Sequence, residues 1–177
     1  MAKTAQHPVL VIMGVSGSGK STVAGLLAGR LSWDLAEGDD LHPPANVAKM
    51  HAGQPLTDED RWPWLESIAG WIRAHTAAGT PGVVTCSALK KRYRDVLRGD
   101  GVVFVFLDGA KDRISDRLAS RHGHFMPPAL LESQFEALEA PGGDETYISL
   151  SVSATPAEEA QEIIDRLGLG DGGATSQ

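Results

Sequence analysis

Gly14-Val15-Ser16-Gly17-Ser18-Gly19-Lys20-Ser21 fits G-x-x-x-x-G-K-[ST] at each defined position. The chemistry of this pattern is phosphate binding. Glycines let the backbone turn tightly, so that successive N–H groups converge on phosphate oxygens. Lys20 brings a positive charge to the β- and γ-phosphates, which makes it a catalytic candidate as well. The Ser21 hydroxyl is a candidate direct ligand for Mg²⁺, and the start of the following helix favours an anion. Thr22 stands where it can help at the α-phosphate. Gly14 to Thr22 are therefore candidate binding residues for ATP.

A second constellation follows about twenty residues on: Glu37-Gly38-Asp39-Asp40-Leu41-His42-Pro43. In open parallel α/β sheets, ligands sit outside the carboxyl ends of the strands. A carboxylate there can approach the γ-phosphate from the acceptor side and take the proton of an attacking hydroxyl. Asp39 is the candidate for this role, and Glu37 can reach Mg²⁺ through water. The bland alternative is a solvated acidic turn that caps the next helix. A phosphate-binding loop alone does not name a reaction. The chain has no Asn/Thr-Lys-x-Asp guanine-reading string and no apolar run ending in Asp-Glu, as motor-type ATPases carry.

These residues need elements to hold them. Val9 to Met13 is apolar and rich in β-branched residues, which predicts a strand buried on both faces. A helix is expected from about Lys20 to Leu31, and a short strand near Asp34 to Glu37. Asn46 to His51 looks helical. A longer helix is expected to start near Thr57 or Asp58, with Thr57 or Asp58 as N-cap, and to run to about Ala78. Pro63 is read as an early-turn proline. Gly82 to Cys86 predicts a strand, Lys90 to Leu97 a helix, and Val102 to Leu107 a strand. Helices are expected over Lys111 to Arg121 and Pro128 to Leu138, then a strand over Tyr147 to Val152. Thr155 caps a last helix with Pro156 at its first position. Strand and helix alternate throughout. That predicts an α/β fold with a parallel sheet of about five strands and right-handed crossovers.

The chain of 177 residues is read as a single domain, with a core over about 8–168 and a loose tail over 170–177. The net charge of −7, without a long Lys/Arg run, argues against a nucleic-acid partner. The apolar run at the N-terminus is too short to span a membrane. The single cysteine, Cys86, cannot form an internal disulfide, which fits a reducing compartment. A cytoplasmic protein is expected.

Further strings occur in order: Asn46-Val-Ala-Lys49-Met50, Gly53-Gln-Pro-Leu-Thr-Asp-Glu-Asp-Arg61-Trp-Pro-Trp-Leu65, Cys86-Ser-Ala-Leu-Lys-Lys-Arg-Tyr-Arg-Asp95, then His124-Phe-Met and Leu131-Glu-Ser-Gln134. With Met13 to Thr22 and Gly38 to Pro43, they resemble the gluconokinases of the small P-loop type, relatives of shikimate kinase and nucleoside monophosphate kinases. The resemblance covers about residues 9–168. It implies the P-loop kinase fold, sheet order 2-3-1-4-5, flanking helices and a mobile helical lid over about 110–127. It implies transfer from ATP, with Mg²⁺, to D-gluconate, giving ADP and 6-phospho-D-gluconate, and it suggests a homodimer. The family usually carries Asp where this chain has Glu37.

An acceptor of that kind is an anion with many hydroxyls. Arg61 can bind a carboxylate with two parallel bonds. Lys90 and Arg94 stand four apart on one helix face, Ser87 lies at a strand end, and His42 and Lys49 come from the segment after Asp39. All six are candidate acceptor ligands with Asp39, although the usual fate of Lys and Arg is a surface charge. Arg113, Arg117 and Arg121 recur at helical spacing before His122-Gly123-His124. Arg117 is a candidate ATP ligand and Arg121 a candidate catalytic residue in a closing lid, against a solvated basic helix face. No third ligand accompanies His122 and His124, so zinc is discounted. Trp33, Trp62 and Trp71 read as packing, and Trp64 is kept open as a sugar platform. Cys86 reads as an inert core thiol. Two other readings stand beside the kinase for this acceptor: another small-molecule kinase of the shikimate or nucleoside monophosphate type, and a nucleotide-dependent switch without an acceptor.

Overall fold

The computed structural model describes residues 8–15, 18–109, 128–151 and 154–169. Strand β1 (Val9–Met13) is wholly buried, as its β-branched run demands. Helix α1 (Lys20–Leu31) follows, entered through Gly19 in the left-handed region (φ 99°), where a side chain would be strained. Strand β2 (Asp34–Glu37) leads into a 3₁₀ turn over Gly38–Leu41 and helix α2 (Pro44–His51). Helix α2 begins two residues before the apolar pattern suggests, because Pro44 takes its first position.

Helix α3 (Asp58–Ala78) carries a capping box: the Thr57 hydroxyl accepts from the Asp60 N–H, and the Asp60 carboxylate accepts from the Thr57 N–H. Thr57 is thus the cap, and Asp58 is the first helical residue. Pro63 falls in the second turn, not the first, and removes one backbone donor. The helix continues because Trp64, Leu65, Ile68, Ala69 and Ile72 bury one face against the sheet. Strand β3 (Gly82–Thr85), helix α4 (Lys91–Leu97), strand β4 (Val102–Asp108), helix α5 (Pro128–Ala137), strand β5 (Tyr147–Ser151) and helix α6 (Pro156–Leu167) complete the order. A second capping box, Thr155 with Glu158, starts α6.

The five strands are parallel and ordered β2-β3-β1-β4-β5. This is the P-loop kinase fold. One core layer packs α3 and α4 residues such as Leu65, Ile68, Ile72 and Tyr93 against Val11, Val84 and Phe104. The other packs Val23 and Leu27 of α1 and Ile163 of α6 against Leu10, Ile12 and Val105. Both layers remove apolar surface from water, and both leave the carboxyl edge of the sheet open for polar residues. The expected helix over Lys111 to Arg121, the lid and the tail lie outside the described residues. No helix among the described residues is long and apolar enough to cross a membrane.

Candidate active site

Strand order brings together at the carboxyl edge the described residues that follow β1 (Gly14, Val15, Ser18 and Gly19), the turn after β2 (Gly38 onward) and the loop after β3 (Cys86 to Lys90). Backbone bonds tie them together, with the Gly14 N–H donating to the Ser87 carbonyl (3.3 Å) and Cys86 N–H to Ile12 (3.0 Å). At the start of α1, Lys20 Nζ donates to the carbonyls of Gly14 (3.0 Å) and Val15 (3.1 Å). Burial pushes the Lys20 ammonium down from its ordinary pKa, and the Asp39 and Glu37 carboxylates push back. Thr22 is exposed in the first turn of α1. Ser16 and Gly17, like Arg117 and Arg121, lie outside the described residues.

The Ser21 hydroxyl donates to Glu37 Oε1 (2.8 Å), and the Thr85 hydroxyl donates to the same oxygen (2.8 Å). Thr85 Oγ1 in turn accepts from the Gly38 N–H (3.1 Å). Two hydroxyls and a carboxylate from α1, β2 and β3 thus converge beside Lys20. This is a hard-oxygen donor set, and it fits Mg²⁺ with its preference for oxygen ligands and retained water. Gly38 is a steric requirement of the arrangement, since a Cβ there would stand 2.0 Å from the Thr85 carbonyl oxygen.

Asp39 is exposed on the 3₁₀ turn, near enough to Lys20 and His42 to influence both electrostatically. The His42 ring stacks on Trp64 at 4.1 Å with planes 14° apart. Trp64 is buried and donates Nε1–H to the Gly38 carbonyl (2.7 Å), so it forms the wall behind His42. Asn46, also buried, contacts His42 Nδ1 at 3.1 Å.

Tyr93 gathers neighbouring cations. The Arg61 guanidinium lies 5.4 Å, and Lys90 Nζ 5.7 Å, from its ring centroid. Arg61 Nη1 donates to the Tyr93 hydroxyl (3.1 Å) and to the Leu56 carbonyl (2.9 Å). The Tyr93 hydroxyl and Arg92 both donate to Asp58, holding its carboxyl below the usual range. Arg61 and Lys90 are therefore brought together from α3 and the β3–α4 loop.

Two of the expected acceptor ligands have other partners. Lys49 Nζ pairs with Asp60 Oδ2 at 2.6 Å. Arg94 is 1% exposed and binds Glu145 through Nε (2.5 Å) and Nη2 (3.2 Å), and the Ala88 carbonyl through Nη1 (2.8 Å). It braces the loop that carries Ser87 from inside. Burial pushes the Cys86 thiol up to about 12, which leaves it unreactive. Thr85, Tyr93, Asp58 and Asn46 were not singled out from sequence. Thr85 carries a signal, a hydroxyl ending an apolar strand, and Tyr93 lies three residues after Lys90, which caps α4 rather than sharing its face as expected.

No family model matches the chain. A gluconokinase from Gluconobacter oxydans (strain 621H) is 54% identical over 157 residues, 88% of each chain. A sugar kinase from Janibacter sp. HTCC2649 is 46% identical, with a TM-score of 0.87 over 96% of this chain and 99% of that one. A gluconokinase from Sinorhizobium meliloti 1021 is 43% identical, with a TM-score of 0.84 over 94% of both. Identity at this level, over most of both chains, shows that the chain belongs to the gluconokinase family.

Proposed function

We propose that this chain transfers the γ-phosphoryl group of ATP to the primary hydroxyl of D-gluconate, giving ADP and 6-phospho-D-gluconate. The observation that carries the reading is the meeting of Ser21, Glu37 and Thr85 beside Lys20, with Asp39 on the turn that follows Glu37. The acceptor oxygen attacks the γ-phosphorus in line, and the bond to the β,γ-bridging oxygen breaks. ADP leaves with the electron pair, and Asp39 takes the hydroxyl proton. Lys20 offsets charge on the transferring group. Ser21 directly, and Glu37 through water, would hold Mg²⁺, which would supply charge neutralisation at the phosphate oxygens.

Arg61 and Lys90 are assigned the acceptor carboxylate, with Ser87 and His42 for its hydroxyls. Lys49 and Arg94 are left out of this set, because Asp60 and Glu145 already occupy them. Arg117 and Arg121 keep their role as lid cations over the triphosphate. The reading also places the chain in the cytoplasm as a homodimer.

The test is ADP release with ATP and Mg²⁺ across gluconate, shikimate, glucose, AMP and no acceptor. Strong stimulation by gluconate alone is expected. Stimulation by shikimate or AMP instead would move the chain to a neighbouring small-molecule kinase. ATP binding with slow hydrolysis that no acceptor stimulates would make it a switch.

A further inference from the structure

Asn46 makes two contacts that together determine the state of another residue. Its Nδ2 lies 2.8 Å from the Asp60 backbone carbonyl and 3.1 Å from His42 Nδ1. A carbonyl only accepts, so the atom facing it must be the amide nitrogen; with the amide reversed, two oxygens would face each other. The same –NH₂ group offers its second hydrogen to Nδ1, which can accept it only with a free lone pair. The His42 proton then sits on Nε2. The side chain of Asn46 has little freedom to turn, because the residue is 3% exposed. The imidazole has little freedom either, being stacked on a Trp64 that is itself pinned to Gly38.

We propose that Asn46 is a positioning residue for phosphoryl transfer, fixing His42 as the neutral, Nε2-protonated tautomer so that it meets the acceptor as a hydrogen-bond donor. The inference rests on the gluconate kinase reading. It has two chemical consequences. An Nε2–H donor pairs with a hydroxyl or carboxylate oxygen of a polyhydroxy acid. It also has no lone pair to offer the attacking hydroxyl, which leaves the proton to Asp39. The surroundings agree: burial lowers the His42 pKa, and Arg61 acts in the same direction against the opposing pull of Asp39.

The test uses the full chain with ¹⁵N-labelled histidine. Long-range ¹H–¹⁵N spectra at neutral pH, with His42 assigned by its loss in His42→Ala, should show Nε2 protonated and Nδ1 bare. A protonated Nδ1 or an imidazolium overturns the inference, and this measurement needs no Asn46 variant to fold. In kinetics, Asn46→Ala should raise the gluconate KM about tenfold, the worth of one lost polar contact, with the ATP KM unchanged. In a His42→Ala background the same change should add less than about twofold, since the two residues act as one unit. Full additivity would show that Asn46 acts independently of His42 and would overturn the inference. A wild-type chain without gluconate-dependent turnover would count against the function. A wrong tautomer in a chain that phosphorylates gluconate would count against this inference alone.

Discussion

Glu37 Oε1 accepts from both Ser21 and Thr85, and on the proposed function this doubly held carboxylate would support the water shell of Mg²⁺. Glu37→Gln removes the charge and keeps the shape. The Mg²⁺ concentration for half-maximal activity should rise about tenfold or more, as for other groups that support a metal site. An unchanged Mg²⁺ titration would remove Glu37 from the metal site. Asp39→Asn should lower kcat about 10²- to 10⁴-fold, the usual worth of a positioned base, with ATP affinity nearly intact. Equal turnover in that variant would exclude Asp39 as the base. The motifs that carry the proposed roles, the phosphate loop and Glu37 with Asp39, are legible in the sequence because each is local. The ion pair of Arg94 is not legible there, for the opposite reason. The partner that occupies Arg94 is Glu145, 51 residues away, and nothing near Arg94 in the chain announces it.

At the scale of elements, helix α3 supplies Arg61 and Trp64, so its start determines where both stand. The Thr57–Asp60 box satisfies backbone donors at that start, and Lys49 secures Asp60 from α2. Thr57→Ala should cost about 1 kcal/mol in a denaturant titration. A change below the error of that measurement would mean the box is redundant with Lys49. The bonds from Lys49 and from the Thr57 backbone hold the Asp60 carboxyl down to about 2. Its folded value lies below its unfolded value of about 3.8, so its contribution is complete above that pH and is lost as pH falls towards 2. Caps and strand cores were readable because their signals lie within a few residues. Pro63 falls in the second turn whether Thr57 or Asp58 caps the helix, and what lies beyond a local reading is that the buried face of α3 carries the helix through it.

At the scale of the molecule, alternation of strand and helix gave the fold class, but the order of the strands is a long-range property. It came from the resemblance and is borne out by the pairing. What ties distant parts together is partly polar. Arg94 and Glu145 are both nearly excluded from water, and they join the loop after β3 to the segment before β5. Removing one partner strands the other charge in a dry place. Arg94→Met should therefore cost about 3–5 kcal/mol and lower the melting temperature by roughly 10 °C for a chain of this size. Melting within a degree or two of the wild type would show that water reaches the pair.

Gly38 has a consequence for how this enzyme can change. Its missing side chain lets β2 close on the Thr85 carbonyl, its carbonyl anchors Trp64, and its N–H orients Thr85. One position thus holds the metal side and the acceptor side in mutual alignment, like a pivot between two arms. On the proposed assignment, a lineage selected for a new sugar acid can vary His42, Arg61 or Lys90 one at a time and keep a working phosphate site. It cannot vary Gly38 without disturbing both halves at once. The evolutionary freedom of the acceptor pocket is bounded by a residue that need never touch the acceptor.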